Sequence, residues 1–381
     1  MLSVNTHNDW DPLKEIIVGS AENYTSHDRE LSFDVFFHEN LFRSDWAYPR
    51  LKSATEFDTS SRSWKIKEKY VQELSEDVEN LAGLLQSLGV VVHRPMTLPP
   101  DSNFISGFGW QAPPVPALNI RDNTLIVGNR IIETPPAIRS RYLETRLLSP
   151  IFNEYFKRGA EWATMPRPIL TDRSFDLSYA RDTESTLGGP SEPIENPKES
   201  PFDLGYEMIL DGAQCLRLGK DIIINVANEN HRLAVEWLKR YLEPEYTIHT
   251  VYRMSDNHID SMLLALCPGV FLARHPDIKK MMPKKFQSWK YIVPPEPDRN
   301  SFPQYNDDDL VLTSPYIDLN VLSISPERVL VNESCIGLIR ELEKNGFETI
   351  PVKHRHRRLF GGGFHCFTLD TVREGTIEDY S

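Results

Sequence analysis

The chain has 381 residues, of which 40% are hydrophobic and 25% charged, and it carries a formal net charge of −13. That balance is the composition of a soluble globular protein with a sizeable core. The acidic excess argues against nucleic acid, whose phosphates are met by Lys and Arg. No run approaches the roughly 18 apolar residues of a membrane span.

The start, Met1-Leu2-Ser3-Val4-Asn5-Thr6, lacks the basic and apolar regions of a secretory signal. Four scattered cysteines without a CxxC pair read as reduced thiols of a cytoplasmic protein. The turn residues of Asn8-Asp9-Trp10-Asp11-Pro12 feed a first strand, Leu13–Gly19. Residues 21–64 are aromatic-rich without a sustained period and read as an insertion or lid. A helical pattern then runs from Trp64 to Leu88, with Tyr70, Leu74, Val78, Leu81, Leu84 and Leu85 on one face. Gly89 stops it before a short strand, Val90–His93.

Helix followed by strand recurs at Leu233–Leu242 with Tyr246–Val251, and at Ile336–Lys344 with Glu348–Val352. Residues 137–158 read as a further helix with Arg and Glu at exposed spacing. Residues 174–201, polar with glycines and prolines, read as a second insertion within a single domain spanning 1–381.

A weak internal repeat organises the rest. Four times an aspartate opens an apolar strand, a tight turn follows, and a second strand returns, at Asp122, Asp211, Asp260 and Asp318. From aspartate to turn the spacing is eight residues in three copies and six in the first, and the opening strand suits a fifth copy. About five strand–turn–strand units separated by helices suggest an α/β fold, a closed ring of ββαβ modules. In such a ring the strand ends meet near the axis, so distant aspartates become neighbours.

In an extended strand, His258 and Asp260 of Asn257-His258-Ile259-Asp260 would share one face. Gly361-Gly362-Gly363-Phe364-His365-Cys366 places a thiol after three residues without Cβ atoms, where a flat molecule can approach the backbone. A histidine, aspartates from neighbouring modules and a cysteine make a set for nucleophilic and acid–base chemistry. Cys366 would be the nucleophile, and Asp211 would orient His258. Asp122 and Asp260 would grip a planar cation by the paired hydrogen bonds that guanidinium favours. The plainer readings are a buried core cysteine and aspartates that cap turns.

The segments Arg121-Asp122, Leu210-Asp211-Gly212-Ala213, His258-Ile259-Asp260 and Gly361–Cys366 follow the order and approximate spacing of the arginine:amine amidinotransferases. Ile131–Pro135, Arg139-Ser140-Arg141, Tyr155-Phe156 with Gly159-Ala160, and Asn320-Val321 also match. The chain therefore resembles that family from Trp10 to Tyr380. It includes glycine amidinotransferase, the inosamine-phosphate amidinotransferases and toxin-pathway relatives.

The resemblance implies a five-bladed, pentein-like α/β propeller with pseudo-fivefold symmetry and a site in its central channel. It implies transfer of the amidino group of L-arginine, through an amidino-Cys366 intermediate, to an amine, with release of L-ornithine. No metal or organic cofactor is implied, and homodimers occur among relatives. Gly362 and Gly363 would let the guanidinium reach the thiol. Ser314 matches a substrate-carboxylate contact of the family. The family's carboxylate-binding arginine is replaced near Ile278, with Arg274 or Lys279 as substitutes. Ser255 and Asn257 fall on the acceptor side, and the polar Asn257 favours a specialised-metabolite amine over glycine.

Glycine amidinotransferase activity and an arginine-modifying hydrolase remain the alternatives, with a non-enzymatic binding descendant as a third. The run His354-Arg355-His356-Arg357-Arg358 reads as a solvated loop near the channel mouth, because its spacing with His365 and Cys366 fits no usual zinc site. The glycines lack the spacing of a dinucleotide fingerprint.

Overall fold

Gly128, Gly219 and Gly269 sit at the tips of three of the repeated hairpins with positive φ (56°, 69° and 80°), the backbone state that glycine adopts without strain. In this computed structural model, residues 3–24, 27, 28, 30–36, 66–99, 101–178, 197–255, 257–305 and 312–380 are described. Each Asp-led segment forms an antiparallel pair: Thr124–Val127 with Arg130–Glu133, Cys215–Leu218 with Asp221–Val226, Leu263–Cys267 with Val270–Ala273, and Leu322–Ser325 with Arg328–Asn332. A helix follows each pair (Ser149–Lys157, Glu229–Leu242, Ile278–Met281 and Ile336–Lys344). A third strand then returns parallel to the second: Glu161–Thr164, Thr247–Tyr252, Lys290–Ile292 and Glu348–Val352.

The fifth blade joins the two ends of the described chain. Thr368–Arg373 pairs antiparallel with Leu13–Val18, the helix Glu68–Ser87 follows, and Val91–His93 lies parallel to Leu13–Val18. Five ββαβ blades, each a separate three-stranded sheet, make the α/β propeller that the repeat suggested. Apolar side chains cement adjacent blades. Leu216 and Ile223 of the second blade are buried with Leu263 and Phe271 of the third, and Val329 and Val331 of the fourth with Leu264 and Leu272 of the third. Apolar faces so large must be removed from water, and stacking blades around a ring does so.

Several elements differ from expectation. The stretch 137–158 is not one helix but two short 3₁₀ turns, Arg139–Arg141 and Glu144–Leu148, before the α-helix Ser149–Lys157. Pro150 is tolerated only in a first turn, so it starts that helix and does not sit inside a longer one. Arg139, Arg141 and Glu144 are buried, against their expected exposure. The helix before Thr247 begins earlier than expected, at Glu229, because the Asn228 side chain accepts from the His231 N–H and caps it.

The helix expected from Trp64 runs Glu68–Ser87, Trp64 lying outside the described residues. Of the insertion at 21–64, residues 31–36 form a short helix and 37–64 lie outside the described residues, as do 179–196 of the stretch at 174–201. Among the described residues no helix is long and apolar enough to cross a membrane.

Candidate active site

Each blade's first strand is led by a residue from the repeat, and the leads of the first three blades converge. Asp122 precedes Thr124–Val127, Asp211 precedes Cys215–Leu218, and Asp260 precedes Leu263–Cys267. In the fifth blade the same place, just before Thr368, is held by Cys366. Asp122, Asp260, His258 and Cys366 line one cavity, and Asp211 stands behind His258. Asp318 of the fourth blade departs from this pattern. Its carboxylate is taken by Arg357, with Nε at 2.5 Å and Nη2 at 2.9 Å, and it lines a neighbouring cavity.

His258 and Asp260 do not share a strand face. Both lie in the turn before Leu263, pinned by Ser255 Oγ donating to the His258 carbonyl (2.7 Å) and by the Asn225 amide donating to the carbonyls of Ser255 and Asn257. His258 Nε2 donates to Asp211 Oδ2 at 2.9 Å, and Nδ1 lies 3.9 Å from Asp122 Oδ1. Asp211 is itself held by the Ala137 N–H (3.2 Å) and sits at the head of a 3₁₀ turn. Burial alone would push His258 toward neutrality. Asp122, Asp211 and Asp260 outweigh it and lift the imidazole to about 9, so the ring is cationic at neutral pH.

The two aspartates facing the cavity share one construction. Asp122 Oδ2 accepts from Arg141 Nη1 (2.6 Å), and its Oδ1 is buried with no donor. Asp260 Oδ2 accepts from His365 Nδ1 (2.8 Å), the Asn320 amide (3.0 Å) and the Cys366 thiol (3.4 Å), while its Oδ1 is likewise bare. A buried acceptor without a donor is costly, so paired bare oxygens mark a place prepared for a donor-rich molecule. Burial raises the Asp122 carboxyl above its usual range. Asp260 is held down at about 2, because His365, the charge of His258 and the Asn320 amide outweigh burial. The Cys366 thiol is pushed well up by burial and then by the charges of Asp260 and Asp122, so it is protonated in this state.

The glycines act differently from expectation. A Cβ on Gly362 would strike Asn119 Oδ1 (2.3 Å) and the Phe367 ring (2.5 Å), and one on Gly363 would strike Asn320 (2.7 Å). Their bareness admits packing partners to the backbone of the loop. Gly361, at φ 69°, is the one that lines the cavity. Asn320 then fixes the loop at both ends: its amide holds Asp260 and its Oδ1 accepts from the Cys366 N–H (2.9 Å).

Arg274 lines the cavity with its guanidinium 4.1 Å from the Tyr316 ring centroid, whereas Lys279 lies over Tyr291. Ser314 lines the cavity too, its hydroxyl accepting from the Tyr316 N–H at 3.2 Å. Ser255 is spent on the His258 turn, and the Asn257 amide donates to the Phe36 carbonyl. The Phe36 ring packs edge-on against His258 at 5.2 Å.

Sequence reasoning passed over Arg141, Glu144, Asn320 and His365 as working parts of the site. The Arg139-Ser140-Arg141 and Asn320-Val321 matches were the available signal. Glu144 takes Arg141 in a two-point grip (2.5 and 2.9 Å), and burial raises its carboxyl to about 7. The basic run at 354–358 is not a solvated loop. His354, His356 and Arg357 are buried, Arg355 is bound to Asp77, and His356 to Glu73 of the long helix. Among the described residues no group of three or more His, Cys, Asp or Glu is arranged to hold a metal ion.

This arrangement on this propeller defines a class of group-transfer enzyme, and the comparisons agree. No protein-family model matches the chain. Mitochondrial glycine amidinotransferase of Xenopus tropicalis is 30% identical over 387 residues, covering 99% of this chain and 84% of the relative. The structure of inosamine-phosphate amidinotransferase StrB1 from Streptomyces griseus superposes with a TM-score of 0.81 at 31% identity, covering 99% of both chains. That of SxtG, an amidinotransferase of a saxitoxin biosynthetic pathway from Microseira wollei, gives 0.78 at 31% identity, again covering 99% of both. The chain belongs to the amidinotransferase family and is a transferase.

Proposed function

We propose that the protein moves the amidino group of L-arginine to an acceptor amine by way of a covalent amidino-Cys366 intermediate, releasing L-ornithine. The observation that carries this reading is the pair of bare oxygens, Asp122 Oδ1 and Asp260 Oδ1, buried beside a thiol and a cationic histidine. A guanidinium offers donors in a planar fork and the positive charge those carboxylates lack.

Entry of that cation offsets the two aspartates that hold the thiol proton, so the proton leaves to solvent as the guanidinium binds. The Cys366 sulfur then attacks the guanidinium carbon and forms an S–C bond. His258, cationic and oriented by Asp211, gives its Nδ1 proton to the departing nitrogen, and the C–N bond breaks to free ornithine. In the second half an acceptor amine attacks the amidino carbon, His258 takes the proton back, and the S–C bond breaks to restore the thiolate. Asp122 and Asp260 hold the flat cation through both halves, which supplies alignment and localises charge on a weak electrophile.

Arg274, with Ser314 beside it in the cavity wall, is the candidate for the amino-acid carboxylate. The acceptor is a specialised-metabolite amine in our reading, on the strength of likeness to the inosamine-phosphate and saxitoxin-pathway enzymes. Asn257 no longer supports it, since its amide is committed to Phe36.

Arginine labelled in the guanidino carbon tests the reaction. Label in a guanidino product, with ornithine exceeding one equivalent per enzyme only when an amine is present, is expected; labelled citrulline would show hydrolysis instead. An amine panel in the same assay tests the acceptor, and glycine as clearly the best would overturn that part.

A further inference from the structure

The two aspartates that face the cavity are backed by different partners. Behind Asp122 stands Arg141, a permanent cation gripped by Glu144. Behind Asp260 stands His365, whose Nδ1 lies 2.8 Å from Oδ2 while Nε2 is buried with no partner. Since Asp260 is ionised, Nδ1 must carry the hydrogen, and an Nε2–H would have nothing to donate to. The ring is therefore the neutral Nδ1–H tautomer.

Its surroundings hold it there. Burial opposes its charge, and Arg121, whose Nε donates to the His365 carbonyl at 2.9 Å, opposes it further. Asp260 and Asp9 pull the other way, and Cys366 is the next residue in the chain. The Asp260 oxygen it holds is also the one that accepts the Cys366 S–H. Asp122 is bonded to a permanent cation, whereas the donors on Asp260 Oδ2 are His365, the Asn320 amide and the thiol itself, and the cationic His258 acts on it only at a distance.

We propose that His365 is a positioning residue for the thiol: as a neutral donor it turns Asp260 Oδ1 toward the guanidinium and loosens Oδ2 from the Cys366 proton, making Asp260 the carboxylate through which substrate charge reaches the sulfur. This rests on Cys366 being the amidino carrier. Without the His365 donor, Oδ2 would draw harder on the S–H, and the thiol would ionise only at higher pH. An imidazolium there would instead neutralise Asp260 before substrate arrives and blunt its grip on the guanidinium.

The test is the single-turnover release of ornithine from arginine, with no acceptor, followed across pH and paired with the intact mass of Cys366. His365→Phe keeps the ring volume and removes the donor. We expect ornithine release about ten- to a hundredfold slower, the rate equivalent of one hydrogen bond to a charged group, with its pH midpoint moved upward. His365→Asn returns an N–H close to the Nδ1 position and is expected to recover the rate to within about threefold, and the midpoint with it. His365→Phe matching the wild-type midpoint, or His365→Asn failing to restore it in a folded protein, would overturn the proposal while leaving arginine chemistry intact. No ornithine and no adduct from the wild type would overturn both. Should either variant fail to fold, nitrogen NMR of ring-labelled wild type decides: an Nδ1–H neutral ring through the active pH range supports the proposal, and an Nε2–H or cationic ring refutes it.

Discussion

Two buried clusters of charge lie close together on the strands that open the blades, and they are built to opposite ends. Further along the strands, Asp370 receives Arg121 (2.7 Å), Arg217 (2.8 Å) and Arg373 (2.6 Å), and Arg217 also binds Asp9. Among the described residues, no carboxylate oxygen of that cluster is buried without a donor. Its charges are used up in joining the fifth blade to the first and second. One step toward the cavity, Asp122 and Asp260 each keep an oxygen bare. The first cluster is a fastener; the second is a socket. Arg121 and Asp122 are adjacent in sequence yet belong one to each, so a single residue step separates holding the ring from holding a ligand.

Substitutions separate the two most sharply in turnover. Asp260→Asn is expected to lower kcat/KM about a thousandfold or more, as losing a prepared charge next to the reacting carbon does. Its thermal midpoint should fall less than that of Asp370→Asn, because the Asn oxygen can still accept from the Oδ2 donors and the bare Oδ1 has no donor to strand. Asp370→Asn should do the reverse, costing about 3–5 kcal/mol of unfolding free energy in denaturant titrations by stranding buried arginines. Enough folded protein at low temperature should retain near-normal kcat. If Asp260→Asn unfolds the chain, or Asp370→Asn abolishes turnover while stability stands, the division fails.

A smaller effect tests how the socket is braced. Arg141→Lys keeps the cation but cannot serve Glu144, Asp122 and the Asn119 carbonyl at once. About a tenfold loss of kcat/KM is expected, with Glu144→Gln milder, both read from arginine saturation curves.

The mildest test is pH. His258 is raised from 6.5 to about 9, so kcat/KM should fall as pH passes about 9, where the proton for the leaving nitrogen is lost. Bound guanidinium adds positive charge nearby, so the corresponding limb in kcat should lie lower. The stability that charged His258 contributes is complete below 6.5 and lost as pH rises through about 9. Melting curves of wild type and His258→Gln should therefore converge over that window.

Much of this was legible before any coordinates. Repeated Asp-led hairpins gave the blades, because period-two strands and glycine turns are local properties. The motifs around Asp122, His258, Asp260 and Cys366 gave the lining and that around Asp211 the residue behind His258, because a ring brings strand ends together. The partners behind those residues were not legible. Arg141 looked like part of an exposed helix, and only the packing of its 3₁₀ turn against Asp122 and Glu144 reveals its place. Asp318 fitted the repeat as well as its siblings, yet Arg357, read as solvated, claims it. The glycines suggested room for a ligand where Asn119 and Asn320 already sit. Which donor answers which carboxylate is decided across blades, and no local pattern encodes it.

The fifth blade has a consequence for how the enzyme comes into being. Its first strand faces Leu13–Val18 in a pairing that matches Val18 with Thr368. Cys366 therefore lies two residues before a strand whose partner, Leu13–Val18, is some 350 residues away in sequence. During synthesis Asp122, Asp211, His258 and Asp260 are all made before Cys366. On the proposed mechanism the amidino carrier arrives only with the long-range contact that shuts the circle, the slowest kind to form. Under that mechanism, completion of the ring and assembly of the reacting set are one event in the life of the molecule.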